Sequence, residues 1–334
     1  MKKVLVIRCG ALGDLVYATS VIDALLLEYG SNTIIDFVCT PSSGTLFKKD
    51  PRVHQVFPLK HKKIPIVFSK EKKAIIQISK KEPYDILINF EHGKQFLPLL
   101  KAIEAKQKVG PQLSTVQTSK ETIHMVEIIK ESYKEIISVN NLQKSFPRLI
   151  ATPIEEVRKK YSLPDKFIII SPSNSHQKKN KLNYRAWPDS YWIKLIKELA
   201  NKTNIIIIGA KHEDNFFNKI RPFPKTVIDL VGKTDLCDLV GIIEAGNALI
   251  ATDTGTAHIA SAVNTEVFAL IGPTPANVTG PYQTPLNKVH IISAHLPCSP
   301  CYKTDIMKNC KDNICMKEIN VTMVLNSVKH HLHL

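Results

Sequence analysis

The sequence predicts a two-domain α/β protein, each domain built on a parallel sheet covered by helices on both faces. Three observations predict it. Short continuous runs of apolar, mostly β-branched residues recur along the chain, as expected of strands buried on both faces. Stretches with helical apolar spacing fall between them, the alternation that builds parallel sheets. A charged, proline-punctuated segment, "SFPRLIATPIEEVRKKYSLPD" over 145–165, divides the alternation into two halves. At 334 residues, with 44% hydrophobic and 22% charged side chains, the chain can bury two sizeable cores.

The elements follow in order. Val4–Ile7 is a first strand ended by Arg8, too short and too soon broken for a secretory leader. Helical spacing runs from Ala18 to Tyr29. Ile34–Val38 and Asp85–Phe90 read as further strands. In the second half Phe167–Ser171, Asn204–Gly209, Ala248–Ala251 and Val267–Ile271 repeat the form, with helices expected over 189–201 and 213–220. Thr322–Leu332 is a short amphipathic helix. No apolar run approaches the roughly 20 residues of a membrane span. Seven cysteines, an odd number, with no export signal argue against a disulfide framework and for the cytoplasm.

The net charge is +15, and residues 1–160 carry 26 basic against 16 acidic side chains. Much of that excess lies in 47–81. It reads either as a solvated lysine surface or as a landing zone for an anionic partner, a phosphorylated glycolipid or an anionic membrane. Aromatics are few there and no nucleic-acid motif is present, so nucleic acid is not an expected partner.

Ligands of doubly wound sheets bind beyond the carboxyl ends of the strands, so the strand-to-helix turns carry the chemistry. Asp253-Thr254-Gly255-Thr256-Ala257-His258 is one. Free amides at a helix start, a glycine for close approach and two hydroxyls suit a phosphate. Helix capping by Asp253 or Thr254 is the plain alternative. Arg8-Cys9-Gly10-Ala11-Leu12-Gly13-Asp14 is the second; Asp14 is either a base or a cap at the start of the following helix. Its G-x-x-G spacing is not the G-x-G-x-x-G of a dinucleotide site. Arg185, at the end of the polar loop after the 167–171 strand, could clamp a diphosphate. Ser173 and Asn174 open that loop. Glu213, after the "IIII" strand, could take ribose hydroxyls or sit in a helix's first turn.

In order along the chain these stretches resemble glycosyltransferase family 9, the heptosyltransferases of lipopolysaccharide core assembly. The resemblance rests on "VLVIRCGALGDLVYATSVIDAL", "YDILINFEHGKQFLPLL…KVG", "RAWP", "IIIIGAKHED", "DLCDLVGIIEAGNALIATDTGTAHIASAVNTEVFALIGPTPANVTGPY" and "CSPCYK…C…CM". It implies a GT-B fold, two Rossmann-like domains whose parallel sheets face a central cleft. Residues 1–155 would take the acceptor, joined by a C-terminal helix over 320–334, and 156–319 would take the nucleotide-sugar donor.

The implied reaction is inverting transfer from ADP-heptose to an acidic inner-core lipopolysaccharide sugar, with no cofactor required. Asp14 matches the general base. Arg185 stands where the family commonly has a lysine facing the diphosphate. Glu213 matches the ribose-binding glutamate, and Thr234 a position near the adenine. Asp253, Thr254, Gly255, Thr256 and His258 match the turn at the donor phosphates and sugar. Arg8, Gly13, Glu91 and Lys94 fall on the acceptor side, with Asn89-Phe90-Glu91 in place of the family's frequent Asp-Leu-Gln. Peripheral contact with an anionic membrane on the cytoplasmic face is expected.

Three other readings stay open. A dehydrogenase would need the missing glycine fingerprint. An epimerase of the same architecture would turn over a nucleotide-sugar without an acceptor. A zinc-stabilised binding protein would use Cys298-x2-Cys301-x8-Cys310-x4-Cys315. For those cysteines reduced thiols in a tight loop are preferred over zinc, and zinc over a disulfide.

Overall fold

The computed structural model describes residues 1–60, 64–113, 123–173 and 182–334. They form two compact units, Met1–Ala151 and Thr152–Leu334.

In the first unit the strands are β1 (Lys3–Ile7), β2 (Ile34–Cys39), β3 (Gln55–Pro58), β4 (Tyr84–Asn89) and β5 (Ala105–Val109). All pair in parallel, in the order β3-β2-β1-β4-β5. Val4 faces Ile35 on one side and Ile86 on the other, and the central strand is apolar and buried from Val4 to Ile7. One core joins Leu5, Ile7, Val38 and Leu87 to Ile75, Leu99 and Leu100 of the flanking helices.

The helical stretch after β1 begins earlier than its spacing suggests, at Leu12, and breaks once. Helix Leu12–Ala18 ends at Thr19 and a second helix, Ser20–Tyr29, follows. Thr19 is fully buried; its hydroxyl donates to Val16 O and accepts from the Arg148 amide. Arg52 spans Asp23 and Asp50, and Arg148 reaches Asp23 as well. This network ties the end of the unit back to its second helix.

In the second unit β6 (Phe167–Ser171), β7 (Asn204–Ile207), β8 (Val227–Asp229), β9 (Ala248–Thr252), β10 (Glu266–Leu270) and β11 (Val289–Ile292) form a parallel sheet ordered β11-β10-β9-β6-β7-β8. Helix Ile154–Tyr161 packs on helix Leu236–Ala245. The contact is close: a Cβ on Gly241 would lie 2.3 Å from Thr152 O. Asp238 of the second helix accepts hydrogen bonds from Thr152, Lys160 and Tyr161.

The C-terminal helix, Val321–Leu332, is where the sequence reading needs correction. It does not join the first unit. Val321, Val324, Leu325 and Val328 lie in the core of the second, with Trp187, Trp192 and Leu195. Trp187 Nε1 donates to Ile319 O at 2.6 Å, just ahead of the helix. Amphipathic spacing shows that a face must be buried, but not which neighbour buries it. No helix among the described residues is long and apolar enough to cross a membrane.

Candidate functional site

In each sheet the order reverses at one place, between β1 and β4 in the first and between β6 and β9 in the second. Such switch points leave a crevice beyond the strand ends. Arg8, Asp14 and Glu91 meet beyond the first, and Arg185, Asp253 and Thr256 beyond the second.

In the first unit the turn after β1 meets the residues after β4. Arg8 donates to Phe90 O at 2.7 Å, sits 3.2 Å from Asp14 Oδ1 and lies 3.8 Å from Glu91. Glu91 Oε1 accepts the Cys9 amide at 2.7 Å, and Asn89 Oδ1 accepts the Glu91 amide. Arg8 and Glu91 are buried, 8% and 5% exposed, whereas the Asp14 side chain is 39% exposed. Asp14 Oδ2 also accepts the Ala11 amide at 3.2 Å, so the carboxylate does cap its helix. Base and cap are therefore compatible: Oδ1 and Oδ2 are held from below while the group faces solvent. A Cβ on Gly10 would come within 2.8 Å of Asp14 Oδ2 and push that carboxylate from its place. Gly13 lies in the helix's first turn. Lys94 is exposed on the short helical turn Lys94–Phe96 and makes no bond to the Arg8–Asp14–Glu91 group.

In the second unit Asp253 follows β9 and is 5% exposed. Its Oδ2 accepts Thr274 Oγ1 at 2.7 Å and pairs with Arg185 at 3.3 Å; His258 Nε2 is 4.0 Å from Oδ1. Arg185 lies over the Tyr302 ring at 5.1 Å. Its side chain is 15% exposed. A guanidinium carries five N–H donors, so the contact with Asp253 orients it and leaves others to meet an anion. Helix Gly255–Ala262 starts next to it with no side-chain cap at Thr254, so its first amides point outward at the positive end of the dipole. Thr256 Oγ1 donates to Ser171 Oγ at 2.9 Å across the switch point.

Glu213 Oε2 accepts Ser173 Oγ at 2.7 Å and the Ala210 amide at 2.8 Å. Gly232, at φ +70, lets the loop before Thr234 approach Lys211, and its amide donates to Gly209 O. Glu213 and Thr234 thus belong to adjoining loops at the ends of β7 and β8. Asn174 lies outside the described residues.

Ser171, Thr274 and Tyr302 join this group without having been singled out in the sequence. A hydroxyl closing an otherwise apolar strand was the available signal for Ser171, and the "GPT" after β10 for Thr274. Tyr302 is distant in sequence and carried none.

The seven cysteines are free. Burial pushes the Cys315 thiol up to about 11, helped by Cys301, Cys298 and Cys310 nearby, and raises Cys301 similarly. The four are neighbours, but among the described residues no group of three or more His, Cys, Asp or Glu is placed to hold a metal.

Two doubly wound α/β units, with a carboxylate at one switch point and an arginine beside a helix start at the other, define a protein of the GT-B fold class. Residues 119–311 match glycosyltransferase family 9 (heptosyltransferase), and the chain belongs to that family. Lipooligosaccharide heptosyltransferase 2 of Campylobacter jejuni subsp. jejuni serotype O:6 is 28% identical over 152 residues, 43% of this chain and 46% of that protein. The chain thus spans about half the length of that relative. Lipopolysaccharide heptosyltransferase 3 of Escherichia coli is 22% identical over 285 residues, 78% of this chain and 81% of that protein. The solved E. coli ADP-heptose lps heptosyltransferase II shares the fold at a TM-score of 0.75, with 20% identity and 100% of each chain covered.

Proposed function

We propose that the protein is an inverting glycosyltransferase that moves heptose from ADP-heptose to an acidic inner-core lipopolysaccharide acceptor. The first unit takes the acceptor and the second the donor. Asp14 at the β1/β4 switch point carries the reading: a part-exposed carboxylate paired with the buried Arg8 and anchored on the Ala11 amide is what a positioned base requires.

The acceptor hydroxyl gives its proton to Asp14 while its oxygen forms a bond to the anomeric carbon. The bond from that carbon to the diphosphate breaks with its electron pair on ADP, and the configuration inverts. Arg185 and the amides at 254–256 meet the charge that grows on the leaving group. Glu213 takes the ribose, with Oε2 already anchored by Ser173 and Ala210. His258 and Asp253 shape the sugar side.

Asp14→Asn tests it, because Asn caps a helix about as well as Asp. The variant should keep its melting temperature and its affinity for ADP, and lose about 10²-fold or more in kcat. A variant that transfers sugar at the wild-type rate removes Asp14 from the mechanism. Calorimetry with ADP, UDP, GDP and CDP and their sugars tests the donor. ADP compounds should bind; binding of UDP compounds alone would reject ADP-heptose as the donor.

A further inference from the structure

The segment that carries the four neighbouring cysteines, 298–315, takes no part in the proposed chemistry, yet it grips the donor side of the second unit. The Cys301 and Tyr302 amides both donate to Pro273 O at 2.9 Å, in the turn after β10. Cys315 packs under the same turn, where a Cβ on Gly272 would come within 2.8 Å of its Sγ. Between Cys310 and Cys315, the buried Asn313 sends its side-chain amide to Ala186 O at 2.8 Å and to Asn183 O at 3.3 Å. Those carbonyls lie on either side of Arg185 in the chain.

These contacts close a circuit. Thr274, next to Pro273, donates to Asp253; Asp253 pairs with Arg185; Arg185 lies over the Tyr302 ring; and Tyr302 is bonded back to Pro273. Arg185 is thus held at its backbone by Asn313, at one edge of the guanidinium by Asp253, and at its face by the ring. A long side chain fixed beforehand has less rotamer freedom to lose on meeting an anion. The ring also attracts the cation, more strongly the less water reaches the pair, and the Arg185 side chain is only 15% exposed. Lys303 Nζ lies 5.1 Å from the same ring, but that residue is exposed, where such a contact is weaker. A planar guanidinium can rest its face on a ring and still donate from its edge, which the lysine common at this place in the family cannot do.

We propose that Tyr302 and Asn313 are positioning residues for donor binding. They hold Arg185 with its free N–H edge toward the diphosphate, and the cysteine segment is the brace that carries them. The proposal rests on the donor reading above, in which Arg185 meets the diphosphate of ADP.

Calorimetry with ADP on the full chain tests it. Tyr302→Leu removes the ring and should weaken ADP binding by about three- to thirtyfold, whereas Tyr302→Phe keeps the ring and should stay within about twofold of the wild type. Arg185→Ala supplies the reference background. There Tyr302→Leu should cause no further loss, because the ring has no cation left to hold. Asn313→Ala should follow the same pattern, a loss with Arg185 present and none without it, and it carries the test should Tyr302→Leu fail to fold by its melting curve. Equal losses in both backgrounds overturn the proposal and reduce the segment to a general prop of the fold. A loss in Tyr302→Phe as large as in Tyr302→Leu overturns it in favour of a direct bond from the hydroxyl to the donor. A loss in Arg185→Ala with none in Tyr302→Leu overturns this proposal alone. Full ADP affinity in Arg185→Ala overturns the donor role of Arg185, and this proposal with it.

Discussion

Arg8 shows how one side chain can change meaning between sequence and structure. The family resemblance put it, with Glu91, on the acceptor side. Both are buried, and both serve the loop that carries Asp14. The spacing between residues 8 and 91 could not show this, because the two meet through the parallel pairing of β1 with β4. Glu91→Gln separates the roles. If Glu91 positions the loop, kcat falls while acceptor KM stays within about twofold; a direct acceptor contact would appear mainly as a raised KM. Thr274 teaches the same lesson in the second unit. Its hydroxyl reaches Asp253 because β10 lies beside β9, a pairing that the local motif does not state.

At the scale of elements, the central strands were readable because both faces are buried and β-branched residues fill them. The edges were not. β5 is "AKQKV" and β11 is "VHII", with polar positions that suit a sheet edge and hide the strand from an apolar search. The break at Thr19 was hidden for another reason: its buried hydroxyl accepts from an amide 129 residues away. The pairing of helix 154–161 with helix 236–245 makes a direct prediction. Gly241→Ala gains helix propensity of about 1 kcal/mol, but its methyl would sit 2.3 Å from a carbonyl oxygen. The clash should win. Denaturant unfolding should show net destabilisation of about 1–3 kcal/mol, the range for overpacking, and an unchanged midpoint would mean the helices can part at no cost.

For the whole molecule, acid sensitivity should be set in part where the second unit begins. Burial opposes the charge on Asp238, yet bonds from Lys160, Tyr161 and Thr152 outweigh it and hold the carboxyl below its usual range. A depressed carboxyl contributes stability that is full above the unfolded value of about 3.9 and is lost as pH falls through the folded one. Melting of the wild type should therefore fall more steeply below about pH 4 than that of Asp238→Asn. Parallel profiles would show that the bonds contribute nothing. The alternation of strands and helices made the two-unit architecture legible, whereas ownership of the last helix was decided by Trp187 and Trp192, whose packing no local pattern reports.

That ownership bears on how the molecule can be taken apart. The backbone passes between the two bodies once, at residues 151 and 152, and the tail does not return. A single cut there divides no sheet and orphans no helix. The piece 152–334 should fold by itself and keep its ADP affinity, measurable by calorimetry on the isolated fragment, while a fragment ending at 319 should aggregate around its uncovered tryptophans. Halves exchanged among family members at this joint would then be viable hybrids, in which each half keeps its own core and, under the proposed division of donor and acceptor, its own specificity.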